Sequence, residues 1–354
     1  MKILVRAPNW VGDAVMAIPA LEAIRRARPG AEISILARPA VAETLLGQPF
    51  ADRTLPYEFR GRHRGWLGRE KLIFELRSEK FDAAILLQNA FEAAWLAWRA
   101  GIPERIGYSR DARGPLLTKA IQVPQEGEIP KHESNYYFEL LRRAGWSDAT
   151  PTIQPIRLLV TDADRTSAES LLRKSGAREN AWRCAIAPGA SYGAAKCWPT
   201  ERFALLADRL ISECAADVIF FGTSGEKEIA DRIRSNMKSR AISLVGETSM
   251  RDLAALFASC SAFIGNDSGA MHVAAAAGLP VIGIFGSTEP EGTAPVTERF
   301  TLIRETVSCS PCFLRRCPVD HRCMERITVD SVFAAAIQLK KSHERFSLRG
   351  SGNA

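Results

Sequence analysis

No run of this sequence reaches the about 18–20 consecutive apolar residues of a membrane-spanning helix. That sets an integral helical membrane protein aside. Nor is there a charged n-region followed by an apolar stretch and a cleavage site, because the chain enters the apolar run Lys2–Val5 at once; the expectation is a cytosolic protein. No Gly-x4-Gly-Lys-Ser/Thr phosphate loop can be written anywhere. No Gly-x-Gly-x-x-Gly fingerprint stands at a strand end, which counts against a dinucleotide dehydrogenase. The basic residues lack the aromatic platform or recognition-helix pattern of nucleic-acid modules, so no nucleic-acid partner is expected. There is no short-period repeat.

What is present is an ordinary globular composition, 46% hydrophobic and 25% charged. At 354 residues the length favours two domains over one. The net charge of +7 comes from 47 Lys and Arg against 40 Asp and Glu. The excess is spread over both halves, and it suits anionic partners such as phosphorylated metabolites or an anionic membrane face. Of eight cysteines, Cys184, Cys197, Cys214 and Cys260 are scattered and read as small buried apolar residues, while the other four cluster.

Apolar runs alternate with helical patterns along the whole chain, as βαβ units around parallel sheets do. Strands are expected at 2–6, 32–37, 54–55, 82–87 and 106–108, with helices between them. One helix follows Val11-Gly12-Asp13, with Val15, Ile18, Leu21 and Ile24 on one face. A Pro-containing stretch, Thr150–Pro155, is the linker candidate. A second α/β series follows, with strands at 183–187, 216–221, 242–245, 261–265 and 281–285. A last helix near 328–341 leads to a polar tail, Ser342–Ala354, expected to be disordered. The segment Arg60–Lys71 holds five Lys/Arg, three glycines and one acid. It reads as a mobile basic loop entering a helix at 69–79, either a solvated surface or a clamp for an anionic substrate.

Polar residues collect where strands turn into helices, the edge at which open α/β sheets bind ligands. In Ile264–Glu289, the sequence Gly265-Asn266-Asp267-Ser268-Gly269 opens a short helix, with His272 one turn further on. Asp267 or Ser268 either caps that helix or joins its free N–H groups in holding an anion. Gly12-Asp13 offers a tight turn and a carboxylate, which is a general base or an N-cap. The loop Ala187–Pro199 carries Ser191 and Lys196, suited to phosphate oxygens. Glu226 in Phe221–Lys227 is either an acceptor for ribose hydroxyls or a favourable charge in a helix's first turn. Cys309-x2-Cys312-x4-Cys317-x5-Cys323, with His321 inside the span, admits a structural zinc site, an iron–sulfur cluster, reduced thiols or disulfides.

Taken together, Ile3–Arg6, Asn9–Asp13, Pro19–Leu21, Ala187–Ala190 with Lys196 and Trp198-Pro199, Phe221-Gly222 with Glu226, and Gly265–Gly269 with His272, Ala276, Gly278 and Pro280 resemble the lipopolysaccharide heptosyltransferases of glycosyltransferase family nine. The resemblance covers nearly the whole chain, and Gly-Asn-Asp-Ser-Gly-x-x-His is its specific signature. It implies a GT-B fold, an α/β architecture of two Rossmann-like, doubly wound domains facing across a cleft. The acceptor side would be 1–155 and the nucleotide-sugar side 156–330, with the C-terminal helix and tail at 331–354. It further implies inverting, metal-independent transfer of L-glycero-D-manno-heptose from ADP-heptose to the first heptose of the lipid A–Kdo inner core. The alternatives are a related glycosyltransferase with another donor or acceptor, or a nucleotide-sugar-binding module without catalysis. The site would be cytoplasmic, at the anionic inner leaflet. Carried over by position, Asp13 is the general base. Ser191, Lys196, Glu226, Thr248, Asp267, Ser268, Gly269 and His272 hold the donor, and Asn9, Trp10, Arg60, Arg62 and Arg64 meet the acceptor. No cofactor is required for that chemistry. The four clustered cysteines are a candidate structural metal site outside it.

Overall fold

The computed structural model describes residues 1–147 and 154–350. The chain divides into two compact units, Met1–Leu159 and Val160–Ala354. Most of the expected linker falls within residues 148–153, outside the described residues. Just after it, the Gln48 carboxamide brackets Leu159, accepting from its N–H at 2.8 Å and donating to its carbonyl at 3.1 Å. This fastens the end of the first unit to that unit's own body.

The first unit holds a six-stranded sheet: β1 (Lys2–Arg6), β2 (Glu32–Ala37), β3 (Arg53–Pro56), β4 (Ala83–Leu86), β5 (Glu104–Tyr108) and β6 (Lys119–Ile121). The order is β3-β2-β1-β4-β5-β6, and every pairing is parallel. Val5 pairs with Ile35 on one side and Ile85 on the other. Ile3, Leu4 and Val5 are buried, as expected of a strand covered on both faces. The second unit repeats the plan with β7 (Arg183–Ala187), β8 (Asp217–Phe220), β9 (Ile242–Ser243), β10 (Ala262–Asn266), β11 (Val281–Phe285) and β12 (Phe300–Arg304). Its order is β12-β11-β10-β7-β8-β9. Both sheets are doubly wound, with strand order reversing beside β1 and beside β7. Ligands bind outside the carboxyl ends at such points.

Four differences from the sequence reading have local causes. The single helix expected after Val11 is two, Val11–Met16 and Ile18–Ala27, because Pro19 lacks the N–H that would continue the ladder. The helix expected at 69–79 begins four residues earlier, at Gly65. The edge strands β6 and β12 carried no clear apolar signal; β6 is three residues long and β12 is only half buried. Finally, the helix Val329–Gly350 runs through most of the segment expected to be disordered, with residues 351–354 outside the described residues. Its Val332, Phe333, Ala335 and Ala336 pack into the second unit's core.

Candidate active site

At the switch point of the second sheet, β7 exits into Pro188-Gly189 and β10 into Asp267-Ser268. Asn266, fully buried, ties the exits together: its Nδ2 donates to the Pro188 carbonyl at 2.6 Å, and its Oδ1 accepts from the Trp198 N–H at 3.0 Å. The buried Trp198 indole in turn donates to the Ile327 carbonyl at 3.0 Å, anchoring the loop that carries Lys196. The Lys196 ammonium lies 2.5 Å from Asp267 Oδ2, and the Thr288 hydroxyl donates to that same oxygen at 2.6 Å. The pair is nearly out of water, with side chains 13% and 5% exposed. A carboxylate so placed is tolerated only when paired and hydrogen-bonded. Here one oxygen takes both partners, and among the described residues no hydrogen bond goes to Oδ1.

Capping alone does not account for this turn. Ser268 occupies the N-cap position of the helix Gly269–Ala276, yet its hydroxyl makes no capping bond. Its Oγ is buried without a hydrogen-bond partner, and so is Ser287 Oγ, just past the end of the neighbouring β11. Buried hydroxyls are normally satisfied. Two unsatisfied ones, an ammonium and the free N–H groups of a helix N-terminus together make an edge suited to an anion. Gly269 opens that helix, and His272 is buried within it. Glu226 closes a capping box, with Oε2 accepting from the Thr223 N–H at 2.6 Å and from its hydroxyl at 2.9 Å. Its other oxygen lies over Gly189, where an added Cβ would sit 1.7 Å away. Glycine at 189 is therefore a steric requirement of Glu226. Ser191 is exposed on its loop, and Thr248 is half-buried ahead of the helix Met250–Ala258. No described hydrogen bond links either of them to the cluster.

The cysteine-bearing segment, set apart from the chemistry on sequence grounds, lies against this edge. The Cys312 and Phe313 N–H groups donate to the Ser287 carbonyl at 3.1 and 2.8 Å. Tyr192 donates to the Phe313 carbonyl at 2.7 Å, Ala195 N–H to the Arg315 carbonyl at 3.1 Å, and the His321 ring lies 3.0 Å from the Ala195 carbonyl. The four clustered thiols are free. Among the described residues, no group of three or more His, Cys, Asp or Glu is placed to hold a metal ion. The four thiols nevertheless lie close together: burial, then the charges of Cys312, Cys309 and Cys317, raises the Cys323 thiol. The segment also braces the loops of Lys196 and Ser287. Of the scattered cysteines, Cys184 and Cys214 are buried and Cys197 and Cys260 half-buried. Burial raises all four thiols, Cys197 to about 11 and Cys260 to about 12.

In the first unit, Asp13 is the third residue of the helix Val11–Met16, whose N-cap position is Trp10. Asp13 is thus not the cap. Trp10 is 43% exposed. Asn9 is committed to the buried Arg6, accepting from its guanidinium at 2.7 Å. Burial lowers the Arg6 pKa to about 10 against the opposing charges of Glu92 and Tyr57. Glu133 opens the helix Glu133–Arg143; burial first, then the charge of Asp13, raises its pKa to about 7, with Arg110 opposing. Nearby, Asn89 donates to the Tyr136 hydroxyl at 3.0 Å and accepts from Arg113 at 3.0 Å.

The basic segment is less loose than its composition suggested. His63 is buried; its Nδ1 accepts from the Glu58 N–H at 3.1 Å. Its Nε2 lies 3.4 Å from Glu75 without hydrogen-bond geometry. Gly68 presses on the His63 backbone, where a Cβ would come within 2.3 Å. Of the three arginines, Arg62 lies 3.9 Å from Glu58 and 3.5 Å from Glu75. Arg64 holds the exposed N-cap position of the helix Gly65–Glu79. Arg60 stacks on Phe59 with Arg38 close by; burial, then the Arg60 charge, lowers the Arg38 pKa.

A family model described as glycosyltransferase family 9 (heptosyltransferase) matches residues 69–322. The chain belongs to glycosyltransferase family 9. It is 31% identical over 313 residues to lipopolysaccharide heptosyltransferase 2 of Escherichia coli (strain K12), covering 86% of this chain and 88% of that one. With lipooligosaccharide heptosyltransferase 2 of Haemophilus ducreyi (strain 35000HP / ATCC 700724) it shares 30% over 325 residues, with the same coverages. The solved structure of the E. coli ADP-heptose lps heptosyltransferase II superposes with a TM-score of 0.81 at 28% identity, covering 97% of this chain and all of that one.

This family 9 member is thus a glycosyltransferase of GT-B architecture. The side chains named from sequence converge in part: Lys196, Asp267 and Ser268 form one cluster, while Asn9 Oδ1 accepts from Arg6 in the other unit. Thr288, Ser287 and Glu133 were missed. The first two stand in Gly286-Ser287-Thr288, immediately after β11. Glu133 has no local signal, since its environment is created by a distant helix.

Proposed function

We propose that this glycosyltransferase moves L-glycero-D-manno-heptose from ADP-heptose to the first heptose of the lipid A–Kdo inner core of lipopolysaccharide, with inversion. What carries this reading is the knot of Lys196, Asp267 and Thr288 beside the unsatisfied Ser268 and Ser287 hydroxyls. The names of the similar proteins supply an ADP-heptose donor and a lipopolysaccharide acceptor; the sugar's configuration and the acceptor position come from the sequence resemblance.

In this mechanism an acceptor hydroxyl oxygen attacks the anomeric carbon of the donor. Asp13 takes the hydroxyl proton as the new C–O bond forms, and the bond to ADP breaks on the opposite face. The electron pair leaves on the β-phosphate. Lys196, the N–H groups opening the helix Gly269–Ala276 and the two serine hydroxyls stabilise that charge without requiring a metal. A carboxylate beside a diphosphate would ordinarily repel it. Lys196 compensates the charge of Asp267, and Oδ1 is left to accept from a heptose hydroxyl. Glu226 receives ribose hydroxyls on the oxygen not used in its capping box. Arg60 and Arg64 meet the anionic inner core.

The test is incubation with ADP-heptose and lipid A–Kdo acceptors carrying no heptose or one, followed by mass spectrometry. Gain of one heptose by the pre-heptosylated acceptor alone is the expected result. Gain by the bare acceptor would reassign the acceptor, and gain by neither would reject the reading.

A further inference from the structure

The helix Gly65–Glu79 is apolar on two sides. Inward it buries Gly68, Leu72, Ile73 and Leu76. Outward, Trp66 is 62% exposed, Leu67 83% and Phe74 72%. At 100° per residue these three fall within one side of the helix. A surface helix ordinarily turns one apolar stripe inward and polar residues outward, so this second, exposed apolar stripe calls for a partner. The apolar surface continues onto the adjacent helix Phe91–Arg99. Trp66 packs on Trp95 with ring centroids 5.6 Å apart, and Phe91 and Trp98 are 47% and 48% exposed.

Charge around this face is one-sided. The three acids of the helix are each engaged by an arginine: Glu70 by Arg99 at 2.9 Å, Glu75 by Arg62 at 3.5 Å and Glu79 by Arg53 at 2.5 Å. Arg64, Lys71, Arg77 and Lys80 are exposed and enter no described ion pair. Aromatic and aliphatic side chains standing clear of the surface, rimmed by uncompensated cations, match the boundary of an anionic bilayer. A second copy of the chain fits less well, because a two-fold contact on this face would set the cationic rim against itself.

We propose that the face formed by Trp66, Leu67, Phe74 and Trp98, with Lys71 and Arg77 at its rim, seats the protein on the surface of a bilayer containing anionic lipid. No step of the proposed transfer uses these side chains, so the inference stands or falls without any sugar. The full chain is floated with vesicles of phosphatidylcholine alone and of phosphatidylcholine with phosphatidylglycerol. The expected result is co-flotation with the anionic vesicles only. The triple variant Trp66→Ser, Leu67→Ser, Phe74→Ser and the single variant Lys71→Glu should each lower partitioning by about tenfold or more. Their unchanged melting temperatures would show that the fold is intact. Failure of the wild-type protein to float, or flotation of the triple variant like wild type, overturns the proposal. So does concentration-dependent dimerisation abolished by the triple variant in the absence of flotation.

Discussion

Asp267 carries two hydrogen bonds on one oxygen, and those bonds have different chemical weight. Lys196 supplies charge and Thr288 supplies direction, so their removal should be separable. Lys196→Ala is expected to weaken ADP binding, measured by titration calorimetry; an unchanged dissociation constant would remove Lys196 from the diphosphate site. Thr288→Val keeps shape and loses only the hydroxyl. It is expected to lower kcat/KM for the donor about tenfold, the weight of one hydrogen bond to a charged group. Thr288→Ser should restore most of it, which a purely structural defect would not allow. Asp13→Asn should abolish transfer while ADP affinity stays near wild type.

Glu133 makes a prediction with a definite sign. Its proton affinity is raised in the folded protein, so the native state holds a proton that the unfolded chain releases from about pH 4.5 upward. Stability therefore falls as pH rises through that window, and the loss is complete above about 7. Glu133→Gln should raise the melting temperature relative to wild type at pH 8 and leave it unchanged near pH 4. Equal shifts at both values would show that the Glu133 charge is not under strain.

At the scale of elements, strand exits and the glycines within them set the site. Gly189→Ala should displace the Glu226 carboxylate and weaken nucleotide binding with little change in melting temperature, as calorimetry and thermal unfolding of one preparation would show. Much of this level was legible in the sequence. Strands β7 and β11 stand where the apolar runs placed them, because a parallel strand buried on both faces leaves an unbroken hydrophobic signature. β6 and β12 lie at sheet edges, with less to bury and so less to read. Asp267 and Ser268 were recognisable from their turn, whereas Thr288 acquires its role only when β11 is laid beside β10. The arginines of 60–71 were visible as charge, but their commitments to Glu58, Glu75 and Phe59 depend on the folded turn around His63.

The whole molecule uses one strand order twice, and in the proposed reaction the two units have different duties. Donor binding should therefore be felt unevenly. ADP at about 100 times its dissociation constant adds roughly 2.7 kcal/mol of stability to the state that binds it. Hydrogen exchange with and without ADP should show protection over 187–199, 222–227, 266–272 and 286–289. Residues 11–16 and 133–143 of the first unit should be unchanged; protection there of equal size would contradict this division.

Protection should also spread to 312–315, because that segment is fastened to both donor loops. Most of its bonds end on main-chain carbonyls: those of Ser287, Phe313, Arg315 and Ala195. Contacts of that kind depend on where the chain passes more than on which side chains it bears. Between Cys309 and Cys323, substitutions should therefore be absorbed far more readily than a gain or loss of a single residue. A one-residue deletion there would shift the segment out of step with Lys196 while sparing every residue named in the site.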